Sequence, residues 1–199
     1  MLSSAASKTT RAWTTRDIVV TAALAVASGI AFILFDWFYS VVQGVGGNFV
    51  GNALAGFWLI GGLLVPYIVR KPGSALFGEL VASLVEASFN PWGAIVIISG
   101  LLEGLGSEVV FLATGYRNFS AKLMATAGAI GAAIFFVTQP LWTQGYYQLA
   151  LPTIVAYFVL RVLSGAVLAG LLGKAIGDAL VPTGVLDSFP IAEGRREEI

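Results

Sequence analysis

The sequence predicts an all-α integral membrane protein: one bundle of six transmembrane helices with both termini on the cytoplasmic side. Three observations predict it. Of the 199 residues, 57% are hydrophobic and only 11% charged, with a mean hydropathy of +0.86, far more apolar than a water-soluble core requires. Apolar runs of roughly 18 to 25 residues recur, long enough to cross about 30 Å of hydrocarbon as helices, and nothing alternates like barrel strands. Lys and Arg fall only in every second connection between these runs, which orients the chain because basic residues are retained on the cytoplasmic side.

Taken in order, Lys8, Arg11 and Arg16 precede a first helix over residues 17–35, DIVVTAALAVASGIAF and its continuation. Gly44, Gly46 and Gly47 break the chain before a second helix over 49–69, which ends at Arg70, Lys71 and Pro72. The third, 73–88, is short enough to be tilted or partly re-entrant, and Pro91 separates it from the fourth, 92–116. Arg117 and Lys122 bracket the start of the fifth, 121–138, and Pro140 stops it. The sixth, 149–176, carries Pro152 in its first turn and Lys174 near its end, with Arg195 and Arg196 beyond. The intervening loops 36–48, 89–91 and 139–148 hold no Lys or Arg. The chain thus divides into a basic cytoplasmic segment 1–16, a transmembrane domain 17–176 and a polar cytoplasmic tail 177–199, expected to be loosely ordered. No internal repeat is evident, against transporters built from inverted halves.

Charges inside such helices are expensive, so they face the bundle interior or a water-filled cavity. Glu79 and Glu86 are seven residues apart on the third helix and share a stripe with Ala75, Ala82, Ser83 and Asn90, while the rest of that helix is Leu, Val and Phe. The stripe must point inward. Glu103 and Glu108 follow on the fourth helix beside Gly100, Gly104, Gly106 and Ser107. Arg161, the lone intramembrane cation, heads a ladder of Gly165, Ala169, Gly173 and Gly177 that permits close helix contact. The structural expectation is an ion pair between Arg161 and Glu103, with Glu79 as the alternative partner. That leaves carboxylates over, and Glu86, near the outer mouth, is the candidate to attract a cationic or amine-bearing ligand.

The outer connections supply the remaining candidates for binding: Trp37, Tyr39 and Asn48, then Asn90 and Trp92, then Gln139, Trp142 and Tyr146, around Glu79, Glu86 and Glu103. Six of the eleven Trp and Tyr residues lie on this face. An interfacial belt explains aromatics but not the clustered amides, which offer donors and acceptors to a flat heterocycle that the rings can stack.

Absences narrow the chemistry. Without His or Cys the chain lacks imidazole bases, thiols and most transition-metal ligands, so no metal or other cofactor is expected. With zero net charge it shows no nucleic-acid footprint, and no GxxxxGK[ST] run makes it an ATPase. The alternatives to a solute-binding subunit are a membrane scaffold, whose buried charges only hold helices together, and a glutamate-dependent intramembrane hydrolase, for which few routes to an activated water exist.

From residue 17 to 176 the pattern resembles the substrate-binding S components of energy-coupling-factor (ECF) transporters, of the YkoE-like type associated with thiamine or its hydroxymethylpyrimidine precursor. Short spans, aromatic outer loops and a small-residue first helix carry the resemblance. It implies a multi-pass protein of the bacterial cytoplasmic membrane that binds a vitamin from outside and works with a membrane-embedded coupling subunit and two cytosolic ATPases. It also implies that an Ala-x-x-x-Ala element meets the coupling subunit, and here Ala23, Ala27 and Ala31 have that spacing.

Overall fold

A computed structural model describes residues 12–192, and among them every regular element is helical. The basic residues Lys8, Arg11, Arg195 and Arg196 lie outside the described residues.

Helix α1, Thr15–Leu54, begins at a capping box: the Thr14 hydroxyl accepts from the Asp17 amide while the Asp17 carboxylate accepts from the Thr14 amide. It does not end at residue 35. No helix breaker occurs in the segment that follows, and the helix runs on to the glycine cluster, where Gly47 leaves helical geometry at φ 65° and ψ −165°, a backbone conformation only glycine adopts readily. There the chain reverses. Phe35 stacks on Phe57 with centroids 4.2 Å apart, Trp58 reaches Asp36, and Lys71 pairs with Asp17, so the residues before and after Gly47 run antiparallel. Asp36 and Tyr39, expected in a loop, are therefore buried helical residues.

After Gly47 the second rod passes through a tight 3-10 segment, Ala55–Leu59, into α2, Gly61–Val69. The tight segment brings the Gly56 amide to 2.8 Å from Ser164 Oγ. Helix α3, Ser74–Glu86, has 13 residues, about 20 Å at 1.5 Å per residue, too short to span the hydrocarbon unaided. Helix α4, Ile95–Ala113, lies beside it, and α5, Ala121–Thr138, packs on α4 in turn. The α5 bounds match the sequence expectation because both signals are local: Ser120 caps the start and Pro140 stops the end. A short α6, Pro140–Thr143, and a 3-10 turn, Tyr146–Gln148, follow at the end of the bundle opposite the basic connections. The last rod is continuous over α7, Leu151–Ser164, a π-helical stretch, Gly165–Leu171, and α8, Leu172–Leu180.

Glycine seams set the spacing. A Cβ on Gly78 would sit 2.8 Å from the Val65 Cβ, and one on Gly104 would sit 3.1 Å from the Glu79 Cβ, so α3 is held closely by α2 and α4. Large apolar side chains such as Ile30, Leu34, Val109, Val159 and Leu163 are exposed, whereas Asp36, Glu79, Glu103, Glu108 and Arg161 are buried. That polarity is the reverse of a water-soluble bundle. Among the described residues four helical segments, Thr15–Val69, Ile95–Ala113, Ala121–Thr143 and Leu151–Thr183, are long and apolar enough to cross a membrane. This is a multi-pass membrane protein.

The segment after α8 corrects one expectation. Far from being loose, residues 181–192 fold back on the bundle, where Leu186 and Phe189 are buried against Val65, Ile68 and Val69 together with Trp13, Val20 and Leu24. A tail rich in polar residues hides these apolar anchors, which the sequence average obscures.

Candidate functional site

A cavity of about 420 Å³ opens among the helix ends opposite the basic connections. Three of its walls have distinct characters. The inward stripe of α3 provides Glu79, Ser83 and Glu86, all nearly inaccessible from outside the bundle. Helix α4 provides Ser99, Gly100 and Glu103, and the close approach of Gly100 to Ser83 seals the seam between the two helices. An aromatic wall comes from Tyr39, Trp58 and Trp92, with Tyr39 edge-on to Trp58 at 4.6 Å and to Trp92 at 6.1 Å. Phe135, Gln139 and Arg161 close the remaining side.

Depth follows from helical rise. Glu86 ends α3 and sits at the mouth, while Glu79 lies about 10 Å deeper, Glu103 about 12 Å below the start of α4, and Arg161 about 15 Å below the start of α7. The mouth therefore carries aromatics, amides and Glu86, and the floor carries Glu79, Glu103 and Arg161.

The carboxylates are not alike. Glu79 Oε2 accepts the Gly62 amide at 2.5 Å, which fixes its rotamer. Among the described residues, Glu103 accepts no hydrogen bond. Behind the mouth, Asp36 is fully buried, takes the Trp58 indole N–H at 3.0 Å on Oδ1, and neighbours Glu86 and Trp92, while its Oδ2 has no partner among the described residues. One guanidinium thus faces three lining carboxylates, and the cavity favours positive charge.

The expected ion pair does not form. Within 4.0 Å the ion pairs among the described residues are Lys71–Asp17 and Lys174–Asp178. Arg161 Nε instead donates to Asn52 Oδ1 at 3.2 Å, and the guanidinium lies over Phe135. The physical reason is local: the Asn52 carbonyl and the Phe135 ring already hold the guanidinium, leaving Glu103 to interact with it only through the field across the cavity.

Of the residues singled out for binding, Glu86, Trp92, Tyr39, Gln139, Glu79 and Glu103 line the cavity. The others do not. Trp37 is 72% exposed on the outer surface of α1, and Trp142 is 59% exposed with its indole N–H on the Val137 carbonyl at 2.9 Å. Asn48 accepts from Gln43, and Asn90 closes the end of α3 by donating to the Glu86 carbonyl and accepting from the Trp92 amide. Tyr146 is buried between Phe136 and Tyr157 and meets Asn52 at 3.4 Å. Trp58, Ser99 and Phe135 were not foreseen. Ser99 is one helical turn from Glu103, a spacing that could have flagged it, whereas Trp58 and Phe135 sit in apolar runs with no local signal. Ala23 and Ala27 are exposed on α1, and Ala31 is half-buried.

Comparisons with known proteins bear on this geometry. Residues 16–135 match the family model described as ABC-type cobalt transport system, permease component. The HMP/thiamine permease protein YkoE of Bacillus subtilis strain 168 is 35% identical over 184 residues, 92% of each chain. A crystal structure of an S-component of an ECF transporter superposes with a TM-score of 0.89 at 34% identity, covering 94% of this chain and 95% of that one.

Proposed function

The chain belongs to the S components, the substrate-binding membrane subunits of ECF transporters, and we propose that the solute it captures is thiamine or its hydroxymethylpyrimidine precursor. It is a transport protein, not an enzyme. The observation that carries the substrate reading is the cavity itself: buried carboxylates without ion-pair partners at its mouth and floor, faced by an aromatic wall. Thiazolium is a fixed cation suited to Glu86, and an aminopyrimidine stacks on Trp58 or Trp92 while pairing its edge with Gln139 or a carboxylate. The relative's name supports the same class of ligand. The cobalt in the family model's description finds no imidazole or thiolate in this chain.

The rods on either side of Gly47, α3, α4, α5 and the last rod serve as six passes, with Lys71, Arg117 and Lys174 at the cytoplasmic end and the cavity facing outward. In that orientation α1 presents Ala23, Ala27 and Ala31 toward a membrane-embedded coupling subunit that works with two ATPases. Replacing Ala27 by Trp should abolish co-purification with that subunit and leave ligand affinity within about twofold; retained assembly would refute the assignment of this face.

The substrate reading is tested by calorimetry or Trp fluorescence on the purified protein in detergent. Saturable binding of thiamine or hydroxymethylpyrimidine below micromolar concentration is expected. Failure of both to bind at micromolar concentration would reject it.

A further inference from the structure

Among the described residues Arg161 is the only cation lining the cavity, and it is held as a recognition group would be. Its Nε is occupied by Asn52, whose own amide is tied to the Asn48 carbonyl at 2.8 Å, and Phe135 supports the guanidinium with its ring centroid 5.2 Å from Cζ. No other acceptor among the described residues takes a hydrogen bond from this side chain, although the residue is only 3% exposed. Its terminal N–H groups therefore face the cavity. The Glu103 carboxylate lines the same floor and has no hydrogen-bond donor among the described residues. A donor and an acceptor that open onto one cavity without protein partners are both available to a molecule bound there.

We propose that this floor is an alcohol-recognition subsite: Arg161 donates to the oxygen of a ligand hydroxyl, and Glu103 accepts that hydroxyl's hydrogen. The inference rests on the reading of the cavity as the thiamine or hydroxymethylpyrimidine site and adds which end of the ligand is deepest. A hydroxyl both accepts and donates, matching one donor and one acceptor, and it is neutral. A phosphate ester would bring two negative charges beside Glu79 and Glu103 with a single guanidinium to offset them. Both thiamine and hydroxymethylpyrimidine carry a primary alcohol, and the floor selects for it in either. Arg161 thereby becomes a specificity-determining residue in place of a bundle staple.

The test is a set of affinities measured on the full-length wild-type protein. Hydroxymethylpyrimidine is compared with the analogue in which methyl replaces hydroxymethyl, and thiamine with its phosphate monoester. Loss of the hydroxyl should weaken binding roughly 10- to 100-fold, the range for a buried hydrogen bond to a charged group. The phosphate ester should bind more weakly than thiamine. In Arg161→Gln, and in Arg161→Lys should the former fold poorly, parent and methyl analogue should bind within about threefold of each other. Equal binding of parent and analogue to the wild type overturns the subsite alone, as does a full preference retained by both variants. Tighter binding of the phosphate ester overturns the assignment to a neutral alcohol. Absence of binding by every compound overturns the thiamine reading and the subsite with it.

Discussion

Glu103 and Glu108 sit five residues apart on α4, both buried, and their surroundings could hardly differ more. Glu108 accepts the amides of Gly73, Ala75 and Leu76 at 2.7, 3.1 and 3.3 Å and the Tyr116 hydroxyl at 2.6 Å, so it caps the start of α3 and ties α4 to it. Glu103 caps nothing. The same division separates the two ends of the molecule. At the basic end, Asp17 pairs with Lys71, and Asp178 with Lys174 and the Tyr67 hydroxyl. At the cavity end, Glu86, Glu103 and Arg161 have no ion-pair partner among the described residues. Residue type and burial alone thus do not separate a carboxylate that holds helices together from one left open to the cavity; the tally of hydrogen bonds separates Glu108 from Glu103.

The sharpest way to break this contrast is to delete both carboxylates in turn. Glu108→Ala strands three helix-start amides and a buried hydroxyl, and should lower unfolding stability in detergent by roughly 3–5 kcal/mol while leaving thiamine affinity within about twofold. Glu103→Gln should do the opposite, with an unchanged or raised thermal midpoint and about tenfold weaker thiamine binding. Similar destabilisation of both variants would erase the distinction. A smaller effect sharpens it at the mouth: Glu86→Gln should weaken thiamine about tenfold but neutral hydroxymethylpyrimidine no more than about threefold, and equal loss for the two ligands in parallel titrations would undo the charge argument. Smallest is Ser99→Ala. The Ser99 hydroxyl donates to Gln139 Oε1 at 2.6 Å, which leaves the Gln139 amide hydrogens directed to the cavity. Losing this orientation should cost about two- to tenfold in affinity with no change in stability, and a stability loss without an affinity change would make Ser99 merely structural.

The helix bounds that local chemistry decides were readable, as the capped and proline-terminated α5 shows. So was the burial of the α3 stripe from Ala75 to Glu86, because helical period alone places it. What escaped was decided by tertiary packing. The aromatic and polar run after residue 35 has the composition of an outer loop, yet it continues α1 because Asp36 finds the Trp58 indole across the hairpin. Opposite charge suggested Arg161 and Glu103 as partners, but the guanidinium is instead held by Asn52, which no spacing rule connects to it from 109 residues away. Three of the eight aromatic and amide candidates, Tyr39, Trp92 and Gln139, line the cavity and five do not, since composition identifies the end of the molecule and not the direction each side chain takes.

The folded-back end of the chain carries a topological consequence. Phe189 lies beneath the Arg16 guanidinium, with Cζ 5.1 Å from the ring centroid, and shares one apolar cluster with Trp13. Residues 13–16 and 186–189 therefore meet at one end of the bundle, and the described chain between them returns to the end from which it sets out, a closure made by side-chain contact and independent of any count of basic residues.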